Sequence, residues 1–259
     1  MATTNNKISN ESNQTFDKIS DEFSSTIIQT KKYVRKPLLL KLVGNIEGKT
    51  VVDFGCGDGY FTRILAKKNP QTITGIDFSN QLIEKANTIE YVRSFFPPNC
   101  IKYLHEDIKN LAIKDSFNLI SSVYFLNYAE SKEDLLKIIQ VAYDHLNEKG
   151  KFCSIVPHPK IQPMGCFEYG RKVTSVDNKS KFENEDILRC EIREGKKSFG
   201  FNFYYYTQET YTKLLQKVGF KDIQWVEPFV SEEGINKYGE EYWNNFLKKP
   251  SSIGFTCYK

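Results

Sequence analysis

The chain has 259 residues, 40% of them hydrophobic and 26% charged, with a formal net charge of +4. That balance excludes a disordered or membrane-class chain and leaves room for one full hydrophobic core. The weak positive charge gives no reason to expect a nucleic-acid partner. The longest nearly uncharged apolar run, residues 117–126, is too short to span a bilayer. No charged-then-apolar leader is read at the start, so a cytoplasmic location and no membrane partner are expected.

Residues 1–15 are polar and read as a disordered tail. Residues 16–259 read as a single domain. From Phe16, Ile19, Phe23 and Ile27 recur at helical spacing. Pro37 suits the first turn of a second helix, "PLLLKLV", which Gly44 can end. These two helices form an expected N-terminal cap over residues 16–48. The basic cluster at Lys31, Lys32, Arg35 and Lys36 reads as a solvated helix face.

A regular alternation follows. Strands are expected at 50–56, 72–78, 101–107, 117–126 and 151–157, and helices at 59–69, 80–96 and 131–147. Such alternation implies a mostly parallel α/β sheet with helices on both faces. The rhythm breaks at 160–206, where a β-hairpin turning near Glu194-Gly195-Lys196 reads as an inserted substrate cap after strand five. A helix with a capping box starts at Thr207 or close by. The last two strands lie at 221–227 and 251–258.

The stretch "VVDFGCGDGY" (51–60) ends a strand and places Gly55, Gly57 and Gly59 at every second position behind Asp53. A dinucleotide loop would be Gly-x-Gly-x-x-Gly and would seat a pyrophosphate on a helix N-terminus. Here the spacing differs, and Asp53 would repel a phosphate but suit an ammonium. S-adenosylmethionine carries an ammonium, a sulfonium and no phosphate. Asp77 ends the second strand, where a carboxylate can accept both ribose hydroxyls. Asp107 ends the third, where it can accept from an adenine amino group. Strand-end acids in that order would read methionine, ribose and adenine in turn.

These segments resemble class I S-adenosylmethionine-dependent methyltransferases. "VVDFGCGDGYFTRILA" is similar to the family's first motif, "GIDFS" to its second and "FNLISSVYFLNYAES" to its strand-four motif. The resemblance implies a Rossmann-like seven-stranded sheet whose last strand is antiparallel. Within the superfamily, the segments "YYYTQETYTKLLQKVGF" and "SEEGINKYGEEYWNNFLKKPSSIGFTC" resemble toxoflavin synthase-like enzymes, which methylate ring nitrogens of a small azapteridine. The implied cofactor-binding set is Asp53, Phe54, Gly55, Cys56, Gly57, Tyr60, Asp77, Phe78, Asp107, Ile108 and Val123.

Methyl transfer from a sulfonium is an in-line displacement that depends mainly on alignment and exclusion of water. A ring nitrogen needs little help from a base. Tyr124 and Tyr128, after strand four, are the candidates for positioning the reacting atoms. Tyr33, Asn127, His158 and Tyr205 are candidate substrate contacts, with Tyr204 and Tyr206 beside the last. Cys56 reads as a small residue that lets the ligand approach, not as a nucleophile. His105 reads as structural and His145 as exposed. The six cysteines contain no Cys-x-x-Cys and there are three histidines, so no metal is expected. The expected function is methylation of a small-molecule acceptor, at a ring nitrogen of a heteroaromatic. The alternatives are O-methylation of a small molecule, an RNA or protein substrate, and a non-catalytic cofactor-binding partner subunit.

Overall fold

The computed structural model describes residues 17–21, 29–93, 100–113 and 115–259. The tail expected over 1–15, and Phe23 and Ile27 of the first expected helix, lie outside these residues. The central sheet contains β1 (Thr50–Phe54), β2 (Thr72–Asp77), β3 (Ile101–His105), β4 (Phe117–Val123) and β5 (Leu146–Pro157). Two late strands complete it, β9 (Lys221–Val226) and β10 (Ser252–Tyr258). The order is β3-β2-β1-β4-β5-β10-β9. Only β10 is antiparallel to its neighbours, β5 and β9, as the resemblance implies. The sequence produces this sheet through short apolar runs; in β1 the last four residues are all buried.

Helices cover both faces. On one face α4 (Lys132–Asp144) and α5 (Gln208–Val218) bury Leu135, Ile139, Tyr211 and Leu215 against Phe152 and Phe255. On the other, α1 (Lys36–Val43) buries Leu38, Leu39 and Leu42 against Val51, Leu119 and Ile155. The chain leaves β1 toward β2 and β3 through α2 (Tyr60–Ala66) and α3 (Asn80–Arg93), then returns to β4 on the other side. The strand order therefore reverses between β1 and β4, and a crevice opens beyond their carboxyl ends.

Several boundaries differ from the sequence reading. Pro37 does stand in the first turn of α1 and Gly44 ends it, as expected, but no break precedes that helix. A π-helical turn, Lys31–Arg35, runs directly into α1, and the N–H of Lys36 donates to the Lys31 carbonyl five residues back. Pro37 needs no carbonyl in register because it has no N–H, so a widened turn is tolerated just before it. Helix α4 stops at Asp144 and β5 begins at Leu146. Phe117 pairs with Leu146 but Leu119 pairs with Lys151, so β5 bulges between those rungs. His145 is half-buried at the C-cap of α4, its Nδ1 2.8 Å from the Val141 carbonyl, and is not the exposed residue expected. At Thr207 the side chain does cap α5, accepting from the Thr210 N–H. The third helical position is Thr210 and not a glutamate, so the expected capping box is absent. The N–H of Thr207 donates instead to Asn184 Oδ1 at 2.8 Å.

The hairpin turns where expected, between β7 (Ile187–Glu194) and β8 (Lys197–Tyr204). A third strand, β6 (Arg171–Ser175), was not expected from sequence and pairs with β7 to make a separate antiparallel sheet. Two further unexpected helices are α6 (Glu232–Tyr238) and α7 (Glu240–Lys248). The second buries Trp243 and Phe246 against Tyr33 and Val34.

Candidate functional site

The loop after β1 turns on three glycines that all have positive φ: 69° at Gly55, 55° at Gly57 and 75° at Gly59. Two of them also lack room for a side chain. A Cβ on Gly55 would lie 2.6 Å from the Phe125 ring, and one on Gly59 2.3 Å from the Tyr103 hydroxyl. The loop is therefore held to glycine by conformation and by close approach together. Asp77 fastens it from the neighbouring strand. Its Oδ2 accepts from the Gly57 N–H at 2.8 Å and its Oδ1 from the Ser79 N–H at 2.9 Å. Burial raises the Asp77 carboxyl to about 6 even though both amides favour its charged form. Asp53 lies beneath the loop. Thr62 and Ser121 hydroxyls donate to its two oxygens, and burial again raises it to about 6.

A cavity of about 150 Å³ opens over this loop and continues beneath the small sheet. Its near end is walled by the loop, Asp77 and Phe78; its far end by Phe199, Phe201 and Phe203 of β8. Strand pairing explains the far wall. Val173, Cys190 and Phe201 form one row across the three strands, and Arg171, Ile192 and Phe199 the next. Every second residue thus faces the cavity. Between the two ends stand Val123, Tyr124 and Tyr128.

Tyr124 has φ of 57°, an unusual value for a bulky residue, at the point where β4 ends. Its N–H donates to the Ile155 carbonyl and its hydroxyl to the Ser251 carbonyl at 3.0 Å. Tyr128 packs 6.4 Å from the Phe201 ring centroid, and burial pushes its phenol well above the ordinary range. Cys56 and Cys190 are buried thiols on the cavity wall, both raised by burial, Cys190 to about 11.

A family model described as a methyltransferase domain matches residues 28–225. The chain belongs to this methyltransferase-domain family. A protein of undescribed function from Haemophilus influenzae is 25% identical over 251 residues, covering 94% of this chain and 92% of that one. A malonyl-[acyl-carrier protein] O-methyltransferase from Acetivibrio thermocellus is 26% identical over 220 residues, 76% of this chain and 74% of that one. Among solved structures, an S-adenosylmethionine-dependent methyltransferase from Mesorhizobium loti has a TM-score of 0.62 at 20% identity. The match covers 89% of this chain and 98% of that one.

In this methyltransferase the cavity gathers Gly55, Cys56, Gly57, Tyr60, Asp77, Phe78, Val123, Tyr124 and Tyr128 from the residues expected by sequence. Others lie elsewhere. Phe54 and Ile108 are in the core beside the site. Asp107 is exposed and occupied as the cap of a short 3₁₀ turn, accepting from the Lys109 N–H and Asn110 Nδ2. Tyr33 does not reach the cavity; it packs edge-on against Trp243 and Tyr238. Tyr205 and Tyr206 lie outside the cavity lining, and their hydroxyls donate to the Pro159 and Ala129 carbonyls, each at 2.8 Å. Tyr205 continues the parity of the β8 phenylalanines but lies past the end of the strand, in their hydrophobic cluster and outside the cavity lining. His158 is buried with both nitrogens engaged. Its Nδ1 accepts from the Lys160 N–H, so Nε2 carries the proton and donates to Glu227 at 3.0 Å. His105 bonds the Phe78 carbonyl, the structural role expected of it. Asn127 is fully buried with its amide nitrogen and oxygen both unpartnered.

The sequence reading missed the cations. Lys31, Arg35 and Arg171 all line the cavity. The cluster read as a solvated helix face is in part an inward face: Lys31 and Arg35, four residues apart, share the side that looks into the cavity. Lys31 is 8% exposed, lies 4.4 Å over the Tyr60 ring and is lowered by burial to about 8. The charge of Asp58 in the glycine loop acts on it in the opposite sense, favouring its protonated form. Among the described residues no helix is long and apolar enough to cross a membrane, and no cluster of three or more His, Cys, Asp or Glu is placed to hold a metal ion.

Proposed function

We propose that this methyltransferase transfers a methyl group from S-adenosylmethionine to a small, flat acceptor, at a ring nitrogen of a heteroaromatic metabolite. The observation that carries the cofactor assignment is Asp77. Its carboxylate faces the cavity at the carboxyl end of β2, and each oxygen is steadied by one backbone amide. Each keeps a second lone-pair direction for a ribose hydroxyl. Lys31, beside the loop, suits the carboxylate of the methionine moiety. Asp53 adds negative charge under the loop, which suits its ammonium. The residues therefore fit the group.

Bound there, S-adenosylmethionine supplies a methyl on a sulfonium. The chain's own residues position the acceptor and exclude water. None that faces the cavity beside Tyr124 is a ready proton acceptor at neutral pH. Tyr124 donates to Ser251, Tyr128 and Cys190 are raised by burial, and His158 is committed elsewhere. A nucleophile that needs no deprotonation, such as a ring nitrogen, suits such a site. The phenylalanine wall suits a flat ring.

The test is incubation of the purified protein with methyl-labelled S-adenosylmethionine and cell extract, followed by separation by size. Label in the small-molecule filtrate, on a nitrogen by mass spectrometry, is expected. Label retained with protein or RNA would overturn the reading.

A further inference from the structure

Two guanidinium groups line the same cavity, and no acid among the described residues is ion-paired with either. Arg35 comes from the π turn and Arg171 from the first residue of β6, on the sheet that roofs the far end. Arg171 is 8% exposed, yet neither arginine has an ion pair among the described residues. The Nε of each is buried without a hydrogen-bond partner. Arg35 spends one Nη on the Thr30 hydroxyl at 3.3 Å and lies 5.1 Å over the Tyr124 ring. Burial, and then the charge of Arg171, push the Arg35 guanidinium below its usual range. A fold does not bring two like charges together in an apolar enclosure unless something of opposite charge completes them.

We propose that the acceptor is an organic acid whose carboxylate is held between Arg35 and Arg171. This rests on the function proposed above and names its substrate class. The position favours the acceptor over the cofactor. Lys31 already stands at the glycine loop, whereas Arg171 sits across the cavity in the same row as Ile192 and Phe199. Guanidinium is a planar donor fork that matches a carboxylate bidentately. Two such forks draw charge from the carboxylate oxygens and lower their nucleophilicity. The carboxylate is then the handle, and the ring beyond it lies along the phenylalanines toward Tyr124.

The experiment measures binding before turnover, on protein saturated with S-adenosylhomocysteine. The probes are matched flat acids and amides: nicotinate with nicotinamide, picolinate with picolinamide, and quinaldate with quinaldamide. Affinities are read by saturation-transfer NMR for the wild type, Arg171→Gln and Arg171→Lys, with melting temperatures and S-adenosylhomocysteine affinity as controls. The acids should bind at least about tenfold more tightly than their amides, as one buried charged contact gives. Arg171→Gln should bring the ratio near one, and Arg171→Lys should restore part of it. S-adenosylhomocysteine affinity should not move. Equal binding of acids and amides, or no binding by any acid, overturns the proposal. A loss of S-adenosylhomocysteine affinity in Arg171→Gln also overturns it, by giving the arginine to the cofactor. Failure of methyl transfer with acid preference intact would instead strike the proposed function alone.

Discussion

Replacing Asp77 by asparagine should separate cofactor binding from folding. The wild-type carboxyl is raised from 3.8 to about 6 by burial. That shift means the charged form costs the fold about 3 kcal/mol relative to the neutral form at pH 8. Asparagine has the shape of the neutral form. It keeps one oxygen for the Gly57 or Ser79 amide but turns an NH₂ group on the other. The lost amide contact costs about 1–3 kcal/mol, so the two effects nearly offset. Stability at pH 8 should therefore change by no more than about 1–2 kcal/mol. Binding should behave differently. Two ribose hydroxyls would lose a charged acceptor, at about 1.5 kcal/mol each, and affinity should fall about a hundredfold. Calorimetric titration with S-adenosylhomocysteine at pH 8, alongside a thermal melt, checks both. An affinity within threefold of wild type would refute the assignment of Asp77 to the cofactor.

The raised carboxyls also set a pH dependence. Asp53 and Asp77 both titrate near 6 in the folded protein, above their unfolded value, so their protonation stabilises the fold. That contribution is fully present below about pH 4 and is lost as pH rises through 6. Cofactor affinity should run the other way, rising through pH 6, with protons released on binding near pH 6 and taken up near pH 8, where Lys31, lowered to about 8, would be held charged by the methionine carboxylate; calorimetry in buffers of different ionisation enthalpy reads this. Tyr128→Phe should raise the acceptor KM or lower kcat without changing S-adenosylhomocysteine affinity; unchanged kinetics would leave Tyr128 as packing alone. Gly59→Ala should cost about 1–3 kcal/mol or more in a denaturant titration. Its Cβ must displace the Tyr103 hydroxyl at a φ of 75°.

Much of the sheet was readable because its strands are buried on both faces and leave apolar runs between helical patterns. The five strands and three helices expected between residues 50 and 157 differ, within the described residues, from the structure mainly at their ends. Strand β6 escaped because "RKVTS" alternates over only five residues, with a charged residue at its inward end. That same residue, Arg171, was the chief omission from the site. No local pattern separates an arginine that points into a cavity from one in water; only pairing with β7 fixes its side. Arg35 was hidden in the same way: it shares a helix face with Lys31, but nothing in the local sequence says whether that face meets solvent or a cavity. Asp77 was legible because a strand end and a glycine loop two motifs apart constrain it. Asp107 was less so. The acid is where the pattern put it, but its oxygens are taken by the turn that follows.

The small sheet has a single apolar face. Val173, Cys190, Ile192 and Phe203 belong to its hydrophobic cluster and also form the cavity wall. One set of side chains thus answers to two selective demands. A substitution that reshapes the wall for a new ligand also thins the layer that keeps three short strands together. Divergence of ligand preference in this lineage should be slow at those positions. It should be accompanied by stabilising changes on the opposite face of the strands, at positions such as Lys172, Arg189 and Asn202, where no ligand is felt.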